Sequence, residues 1–387
     1  MPPIAQRRHP VLAADRRTEP WHIARAGAFA WSKWKDGSDM ATIDTEFVTI
    51  AYDDRGPRDG SPVLLVHGWP DDASTWDAVV PRLNAAGLRT IVPTLRGFGD
   101  TRIKGEGART GNSAVLALDM IALMDALGID RFMVAGHDWG SNTAEALAVG
   151  WPERVERMAM LCTPPRLGGM KTPSFAQAQR QWYHWFMATA RGADAVRADR
   201  RGFARTHWDN WSPPGWYDEE TFNRVARAWE NPDWLDVTLH SYRARWDEAK
   251  PDPRSQWLED KVRATRTLSL PTIYVQGAVD GVNPPEASAG VAAKFTGPFA
   301  RVVLSGVGHF AQRENPRAVA RHLVHLFTRD PATLASTTDH SLYVRRAVPV
   351  LASLGLAALV GASAARMHGE DDAIESGDRD PSEGPST

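Results

Sequence analysis

The stretch that decides the fold is FMVAGHDWGSNTAEAL at residues 132–147. A short apolar run leads directly into GHDWG, and a helical pattern follows at once. A glycine two residues before and after Asp138 suits a sharp turn from strand to helix, because small neighbours avoid a clash in strained backbone. Such a turn exposes a carboxylate beside a helix N-terminus, which favours negative charge. The pattern predicts a nucleophile at Asp138; a simple helix cap is the alternative interpretation.

The rest of the chain predicts an α/β protein with a mostly parallel central sheet flanked by helices. Short apolar runs alternate with helical patterns, which is typical of a parallel sheet covered by helices. The predicted strands lie at 63–66, 90–92, 132–135, 158–161, 273–275 and 302–304, and further helices lie at 116–127 and 316–328. Between 165 and 268 this alternation stops, and the segment contains nine of the 16 tryptophans. We therefore predict an inserted helical lid there.

These boundaries divide the chain into five parts. An N-terminal extension at 1–39 lacks periodicity and is predicted to be disordered. The first half of the core occupies 40–164, the lid 165–268, and the second half of the core 269–330. The remaining residues, 331–387, form a C-terminal extension. No apolar run follows the paired arginines Arg7 and Arg8, so a secretory signal is not expected.

An apolar segment lies within the C-terminal extension. Residues 347–365 carry no charge, and that length is at the lower end of the roughly 17–25 residues that span a bilayer. Ser353, Ala357 and Gly361 have the spacing of small residues that pack helices in membranes. Two interpretations stay open: membrane association through this segment, or an alanine-rich helix lying on the globular domain. The expected localisation is cytoplasmic, and the acidic tail after Arg366 is predicted to be disordered.

Charge and cysteine content exclude several classes of function. The formal net charge is -2, whereas proteins that bind nucleic acid usually carry a basic surface, so we expect no nucleic-acid partner. The only cysteine, Cys162, cannot form an internal disulfide and lacks the companions of a metal site. We expect neither a metal nor an organic cofactor.

A second motif, HGWP at 67–70, follows the first predicted strand of the core. In an α/β protein whose nucleophile stands in a strand-to-helix turn, an oxyanion hole takes backbone N–H groups from two places. These are the loop after that first strand and the residue after the nucleophile. We assign the hole to the N–H groups of Trp69 and Trp139. Both side chains, together with Phe310, are also expected to contact substrate. An ordinary turn is the alternative interpretation of HGWP.

The acid and the base of a catalytic triad come later in the chain. Asp280 follows the predicted strand at 273–275, and His309 follows the last strand at 302–304. Their chain order, nucleophile then acid then histidine, is the one this architecture requires. The stretch after the strand at 158–161 holds Cys162 and Thr163 and offers no acid. This favours Asp280 as the partner of His309.

With these motifs, residues from about 40 to 328 resemble the epoxide hydrolases of the α/β-hydrolase superfamily. The motifs that carry the resemblance are HGWP at 67–70, GHDWG at 136–140, Asp280, and GHFAQRENP at 308–316. The resemblance implies the α/β-hydrolase fold and two lid tyrosines that protonate the leaving oxygen. Tyr183 and Tyr242 stand where the family has them; both could instead be packing residues with a hydrogen-bonded tip.

The resemblance implies hydrolysis of a small apolar epoxide with water, through an ester on Asp138. A haloalkane or haloacetate dehalogenase using the same nucleophile is the alternative, with Trp139 as a halide ligand. Haloalkane dehalogenases tend to have Asn in place of Trp69, and haloacetate dehalogenases tend to have Arg in place of Trp139. A catalytically silent ligand-binding protein of the same fold is a third hypothesis, which an intact set of Asp138, Asp280 and His309 argues against.

Overall fold

The computed structural model of the chain describes residues 40–105 and 108–340. Residues 1–39 and the apolar segment at 347–365 lie outside this described part, so the interpretations given to them stay predictions. Among the described residues, no helix is both long enough and apolar enough to cross a membrane.

A ten-stranded sheet forms the centre of the described part. Its strands are β1 Ala41–Asp44, β2 Val48–Arg55, β3 Ser61–Val66, β4 Leu88–Pro93, β5 Arg102–Ile103, β6 Phe132–His137, β7 Val155–Leu161, β8 Thr272–Gly277, β9 Phe299–Leu304 and β10 Thr337–Asp339. The order is β1-β2-β4-β3-β6-β7-β8-β9-β10, and β5 pairs with β2. Neighbours from β4 to β10 are parallel, and β2 is antiparallel to β1, β4 and β5. The predicted mostly parallel sheet is confirmed.

Helices cover both faces of the sheet and form the lid. They are α1 Val80–Ala85, α2 Ser113–Ala126, α3 Trp139–Gly150, α4 Phe175–Arg180, α5 Trp182–Ala188, α6 Ala190–Ala198, α7 Arg200–Trp211, α8 Glu219–Ala226, α9 Trp234–Ala244, α10 Gln256–Ala264, α11 Ala311–Glu314 and α12 Pro316–Thr328. One face of the sheet packs against α1 and α12, and the other packs against α3, which α2 and α10 flank. The helices α4 to α10 are inserted between β7 and β8.

Burial on both faces explains why the central strands are continuously apolar. In β3, Val63 and Leu65 belong to the core beneath α1 and α12, whereas Leu64 and Val66 belong to the core shared by α2, α3 and the lid. None of these four residues has any exposed surface. The parallel arrangement brings the carboxyl ends of β3, β6, β8 and β9 to one edge of the sheet, where the loops that carry the site residues lie.

Two elements differ from the predicted boundaries. Helix α10 lies inside the 165–268 predicted for the lid, yet it packs against α2 and α3 beside the sheet. There Trp257 meets Trp151 edge-on at 5.6 Å between ring centroids. At the other boundary, β10 pairs with β9 in parallel, so the sheet continues beyond residue 330. Because β10 has only three residues, it is too short for hydrophobic periodicity to indicate a strand there.

Candidate active site

Asp138 lies in the sharp turn between β6 and α3. Its backbone has φ 51 and ψ -111, a conformation that L-residues rarely adopt and that costs roughly 1–3 kcal/mol. The flanking glycines are required by space: a Cβ on Gly136 would lie 1.9 Å from the carbonyl oxygen of Gly140, and one on Gly140 would lie 2.2 Å from that of Val66. The turn therefore holds this carboxylate at a fixed position above the strand ends.

The two oxygens of Asp138 have different surroundings. Oδ1 accepts a hydrogen bond from the backbone N–H of Trp69 at 2.9 Å. Oδ2 accepts one from the Thr163 hydroxyl at 3.3 Å and lies 3.7 Å from Nε2 of His309. The side chain makes no capping hydrogen bond to α3, so the helix-cap interpretation is wrong. Oδ1 is held in place, and Oδ2 faces the histidine.

The charge on Asp138 is stabilised despite burial. Burial raises the pKa of this carboxyl, but the hydrogen bond and charge of His309, the neighbouring His137 and the Trp69 N–H together hold it well below its usual range. The carboxylate is therefore ionised at neutral pH and available as a nucleophile. Thr163 is a contact that the motifs did not indicate, because its hydroxyl reaches Asp138 only through the pairing of β6 with β7.

Of the two residues assigned to the oxyanion hole, Trp69 donates directly to Asp138. Trp139 is the first residue of α3, where backbone N–H groups have no partner within the helix. Its indole Nε1–H has a separate role and donates to the hydroxyl oxygen of Tyr242 at 3.2 Å. The indole rings of Trp69 and Trp139 lie nearly parallel at 6.5 Å.

His309 and Asp280 are brought together as a fully buried pair. Nδ1 of His309 lies 2.9 Å from Oδ2 of Asp280, and neither side chain has exposed surface. Oδ1 of Asp280 accepts the backbone N–H groups of Val282 and Asn283, both at 2.9 Å. These contacts fix the carboxylate and orient the ring, so that Nε2 points toward Asp138.

The protonation of His309 depends on its two carboxylate neighbours. Burial lowers the pKa of the imidazole, but the charges of Asp280 and Asp138 outweigh burial and raise it to about 10. His309 is therefore protonated at neutral pH while Asp138 is ionised. Any reaction that removes the charge of Asp138 would lower this pKa.

The lid supplies hydrogen bonds that position the histidine loop. The backbone N–H of His309 is shared between the Trp211 carbonyl at 3.0 Å and the Ser212 hydroxyl at 2.9 Å. The Ser212 hydroxyl donates to Glu314 at 2.6 Å, and Glu314 also accepts the N–H groups of Gly308 and Phe310. Sequence reasoning missed Ser212 and Glu314; the only signal was the position of Glu314 within GHFAQRENP.

Both predicted tyrosines lie at the site. Tyr183 on α5 stacks on the Trp69 ring at 5.7 Å, and Tyr242 on α9 meets the same ring edge-on at 5.2 Å. The two phenol rings are 5.2 Å apart. Burial and the nearby Asp138 charge raise the pKa of Tyr183, and burial, with Tyr183 and Asp138, raises that of Tyr242. Both hydroxyls therefore keep their protons at neutral pH and can donate them.

Aromatic side chains surround this polar centre. Phe310, predicted to contact substrate, stacks on Trp216 of the lid at 4.5 Å and meets the His309 ring edge-on at 5.4 Å. Its main visible role is to pack the lid onto the loop that carries the histidine, and a contact with substrate stays a prediction. Trp69 lies at the centre, between both tyrosines and Trp211. The surroundings favour an apolar substrate.

Comparison with known proteins agrees with this architecture. The profile of the alpha/beta hydrolase fold family matches residues 61–316. Epoxide hydrolase A of Mycobacterium tuberculosis is 25% identical over 311 residues, which cover 74% of this chain and 96% of that protein. The soluble epoxide hydrolase of Corynebacterium sp. strain C12 is 29% identical over 272 residues, 67% of this chain and 87% of that protein. A crystal structure from Klebsiella pneumoniae, provisionally assigned as an epoxide hydrolase, is 35% identical with a TM-score of 0.71, and covers 75% of this chain and 98% of that one.

Proposed function

Because this chain belongs to the alpha/beta hydrolase fold family and, within it, to the epoxide hydrolases, we propose that Asp138 opens an epoxide through a covalent alkyl ester, which water then cleaves to a vicinal diol. One observation carries the proposal: Oδ1 of an ionised Asp138 is held by the Trp69 N–H, while Oδ2 faces His309. Tyr183 and Tyr242 lie over the same site with their hydroxyls protonated.

In the first step Oδ2 of Asp138 forms a bond to an oxirane carbon, and the carbon–oxygen bond of the ring breaks. The electron pair goes to the departing oxygen, which takes a proton from Tyr183 or Tyr242. Forming the ester removes the negative charge of Asp138, so the pKa of His309 falls. The proton that His309 then releases replaces the one that the tyrosine gave up, and His309 becomes a neutral base.

In the second step His309 removes a proton from water, and the hydroxide adds to the ester carbonyl. The Trp69 N–H stabilises the oxyanion that forms on Oδ1, together with the N–H of Trp139. When this intermediate collapses, the diol oxygen leaves and takes the remaining proton of the added hydroxide, and Asp138 regains its charge. His309 finishes protonated, so the cycle closes with one water consumed for each epoxide.

The dehalogenase alternative has less support from the site. A halide would need the indole N–H of Trp139, but that N–H donates to the hydroxyl of Tyr242. Halide departure also needs no proton, so the two buried tyrosine hydroxyls at the site would have no role. The silent ligand-binding alternative does not account for the assembled set of Asp138, Asp280 and His309.

The test is turnover of a panel of terminal epoxides and haloalkanes, with diol and halide measured in parallel and Asp138→Asn as control. We expect diol without halide, and loss of diol in the variant. A single turnover in oxygen-18 water should place the label in the enzyme and leave the first diol unlabelled, because the diol oxygen comes from Asp138. Label in the first diol would mean direct attack by water and would overturn the ester mechanism.

A further inference from the structure

His207 brings an imidazole into the aromatic surroundings of the site. It lies on the lid helix α7, and only 1% of its surface is exposed. Its ring stands nearly perpendicular to those of Trp69, Tyr183 and Trp211, at 4.9, 4.7 and 4.8 Å between ring centroids. The imidazole therefore belongs to the wall of the site, yet no step of the proposed mechanism uses it.

The hydrogen bonds of His207 leave one of its two nitrogens as an unused acceptor. Nδ1 lies 2.7 Å from the backbone carbonyl of Phe203, and because a carbonyl only accepts, Nδ1 carries a proton. Burial lowers the pKa of the imidazole to about 3 against the effects of that carbonyl and of the Asp138 charge, so the ring is neutral. Nε2 therefore presents a lone pair, and within residues 40–105 and 108–340 this buried atom has no hydrogen-bond partner.

The neighbouring Trp69 has an unused donor. Its backbone N–H donates to Asp138, but its indole Nε1–H is buried and finds no acceptor among the described residues. An unused donor and an unused acceptor thus lie on adjacent rings, those of Trp69 and His207. Each buried polar group without a partner is unfavourable, so a ligand that pairs with both groups would be stabilised.

A hydroxyl is a small neutral group that meets both requirements. Its oxygen accepts from the indole of Trp69, while its O–H donates to Nε2 of His207. A carboxylate, an ether oxygen or a halogen has no proton to donate, and an ammonium group has no lone pair to accept with. Because the backbone of Trp69 also holds the nucleophile, a hydroxyl bound by its indole would lie close to the oxirane.

We propose that Trp69 and His207 bind a hydroxyl of the substrate, and that the preferred substrates are epoxy alcohols whose hydroxyl lies near the oxirane. This inference rests on the proposed function, because it identifies the class of epoxide that Asp138 opens. Trp69 then acts through two groups: its backbone N–H holds Oδ1 of Asp138, and its indole N–H orients the substrate. His207 is a specificity-determining residue and transfers no proton.

The test compares glycidol, epoxybutanol and epoxyhexanol, all terminal epoxides, each beside its methyl ether. The ether oxygen accepts from Trp69 but has no proton to donate to His207. In the wild type we expect kcat/KM for at least one alcohol to exceed that for its ether by about tenfold, the usual contribution of one hydrogen bond. His207→Leu should bring this alcohol-to-ether ratio near one, whereas His207→Gln, which keeps an acceptor, should retain part of it.

A second variant and a control separate the hydrogen bonds from the shape of the site. Trp69→Phe keeps the backbone N–H and an aromatic ring but removes the indole donor. It should lower kcat/KM for the alcohols and ethers relative to that for plain epoxyalkanes of the same length. The matched control is His325→Leu, at a half-buried histidine of α12 that contacts Thr333, and it should leave the alcohol-to-ether ratio unchanged. Thermal melting establishes that each variant is folded.

Binding of hexanol and of hexyl methyl ether, measured by calorimetry, separates this inference from the proposed function. If no epoxide is opened but hexanol binds more tightly than the ether, and His207→Leu abolishes the difference, the hydroxyl site stands and the proposed function fails. If epoxides are opened while no alcohol is preferred to its ether, or the preference persists in folded His207→Leu, the inference is overturned and the proposed function stands. Equal binding of both ligands without any turnover would overturn both.

Discussion

Replacing Asp280 with Asn should stop the second step of the reaction while leaving the first intact. The backbone N–H groups of Val282 and Asn283 both donate to Oδ1 of Asp280, so they fix the oxygen of an Asn amide at that position. The amide NH₂ would then face Nδ1 of His309, which lies 2.9 Å from Oδ2 in the wild type. Nδ1 would have to accept this hydrogen bond, and the imidazole proton would move to Nε2.

With its proton on Nε2, His309 cannot remove a proton from water at the side that faces Asp138. An imidazole forced into the wrong tautomer by an Asp-to-Asn change typically loses about 10⁴-fold in rate. That factor corresponds to roughly 5 kcal/mol in the barrier to ester hydrolysis. Ring opening by Asp138 needs the carboxylate and the tyrosines, so we expect the ester to form and accumulate.

The assay is intact-mass spectrometry of Asp280→Asn after mixing with excess epoxide, with diol release followed in parallel. A stable mass increase of one substrate per chain is the expected result. Asp130→Asn, at an exposed residue that precedes β6 whereas Asp138 follows it, is the matched control and should turn over like the wild type. Steady-state turnover of Asp280→Asn within tenfold of the wild type, or absence of the ester, would refute the tautomer argument.

Three further predictions test the site residues and the contacts that stabilise them. Tyr183→Phe and Tyr242→Phe should each slow ester formation by about a hundredfold, because each removes a proton donor; single-turnover mass spectrometry measures this, and unchanged rates would assign the hydroxyls to packing. The pKa of His309 is raised from 6.5 to about 10, so its stabilising contribution is complete below pH 6.5 and is lost as the pH rises through 10. Urea denaturation of wild type and His309→Gln should show the difference in unfolding free energy shrinking over that range. Arg313→Met leaves Asp71, which has no exposed side-chain surface, without its partner and should lower the unfolding free energy by about 3–5 kcal/mol; a smaller loss in urea denaturation would mean that Asp71 finds another partner.

The parallel half of the sheet could be predicted from the sequence because its strands are buried on both faces. Runs such as Val63 to Val66 are continuously apolar for that reason, and they stand out in the sequence. The antiparallel edge could not be predicted in the same way. In β2, Val48, Ile50 and Ala51 are buried while Thr49 and residues 52–55 are half-buried, so neither a continuous apolar run nor strict alternation appears.

The proposed reacting groups could also be picked out from the sequence, since each follows a strand at the carboxyl edge of the sheet. Asp138, Asp280 and His309 each stand in a short motif whose chain order is diagnostic. The groups that support them were not predictable. Ser212 is 97 residues from His309 in the chain, and Thr163 is 25 residues from Asp138. Nothing in the residues around Ser212 or Thr163 indicates these contacts, because the first exists only when the lid packs on the histidine loop and the second only when β6 pairs with β7.

The sequence by itself determined the central parallel strands, their order along the chain and the candidate for the nucleophile, because periodicity, glycines at a turn and residue type act locally along the chain. Only the tertiary structure determined the protonation states of the site residues and the partners of their hydrogen bonds. The pKa of His309 rises because Asp280 and Asp138 converge on it from separate loops. Likewise, the rings of Trp69 and His207 are neighbours only because the lid helix α7 packs on the loop after β3. Electrostatic and hydrogen-bonding effects depend on distance in space, which local sequence patterns do not encode.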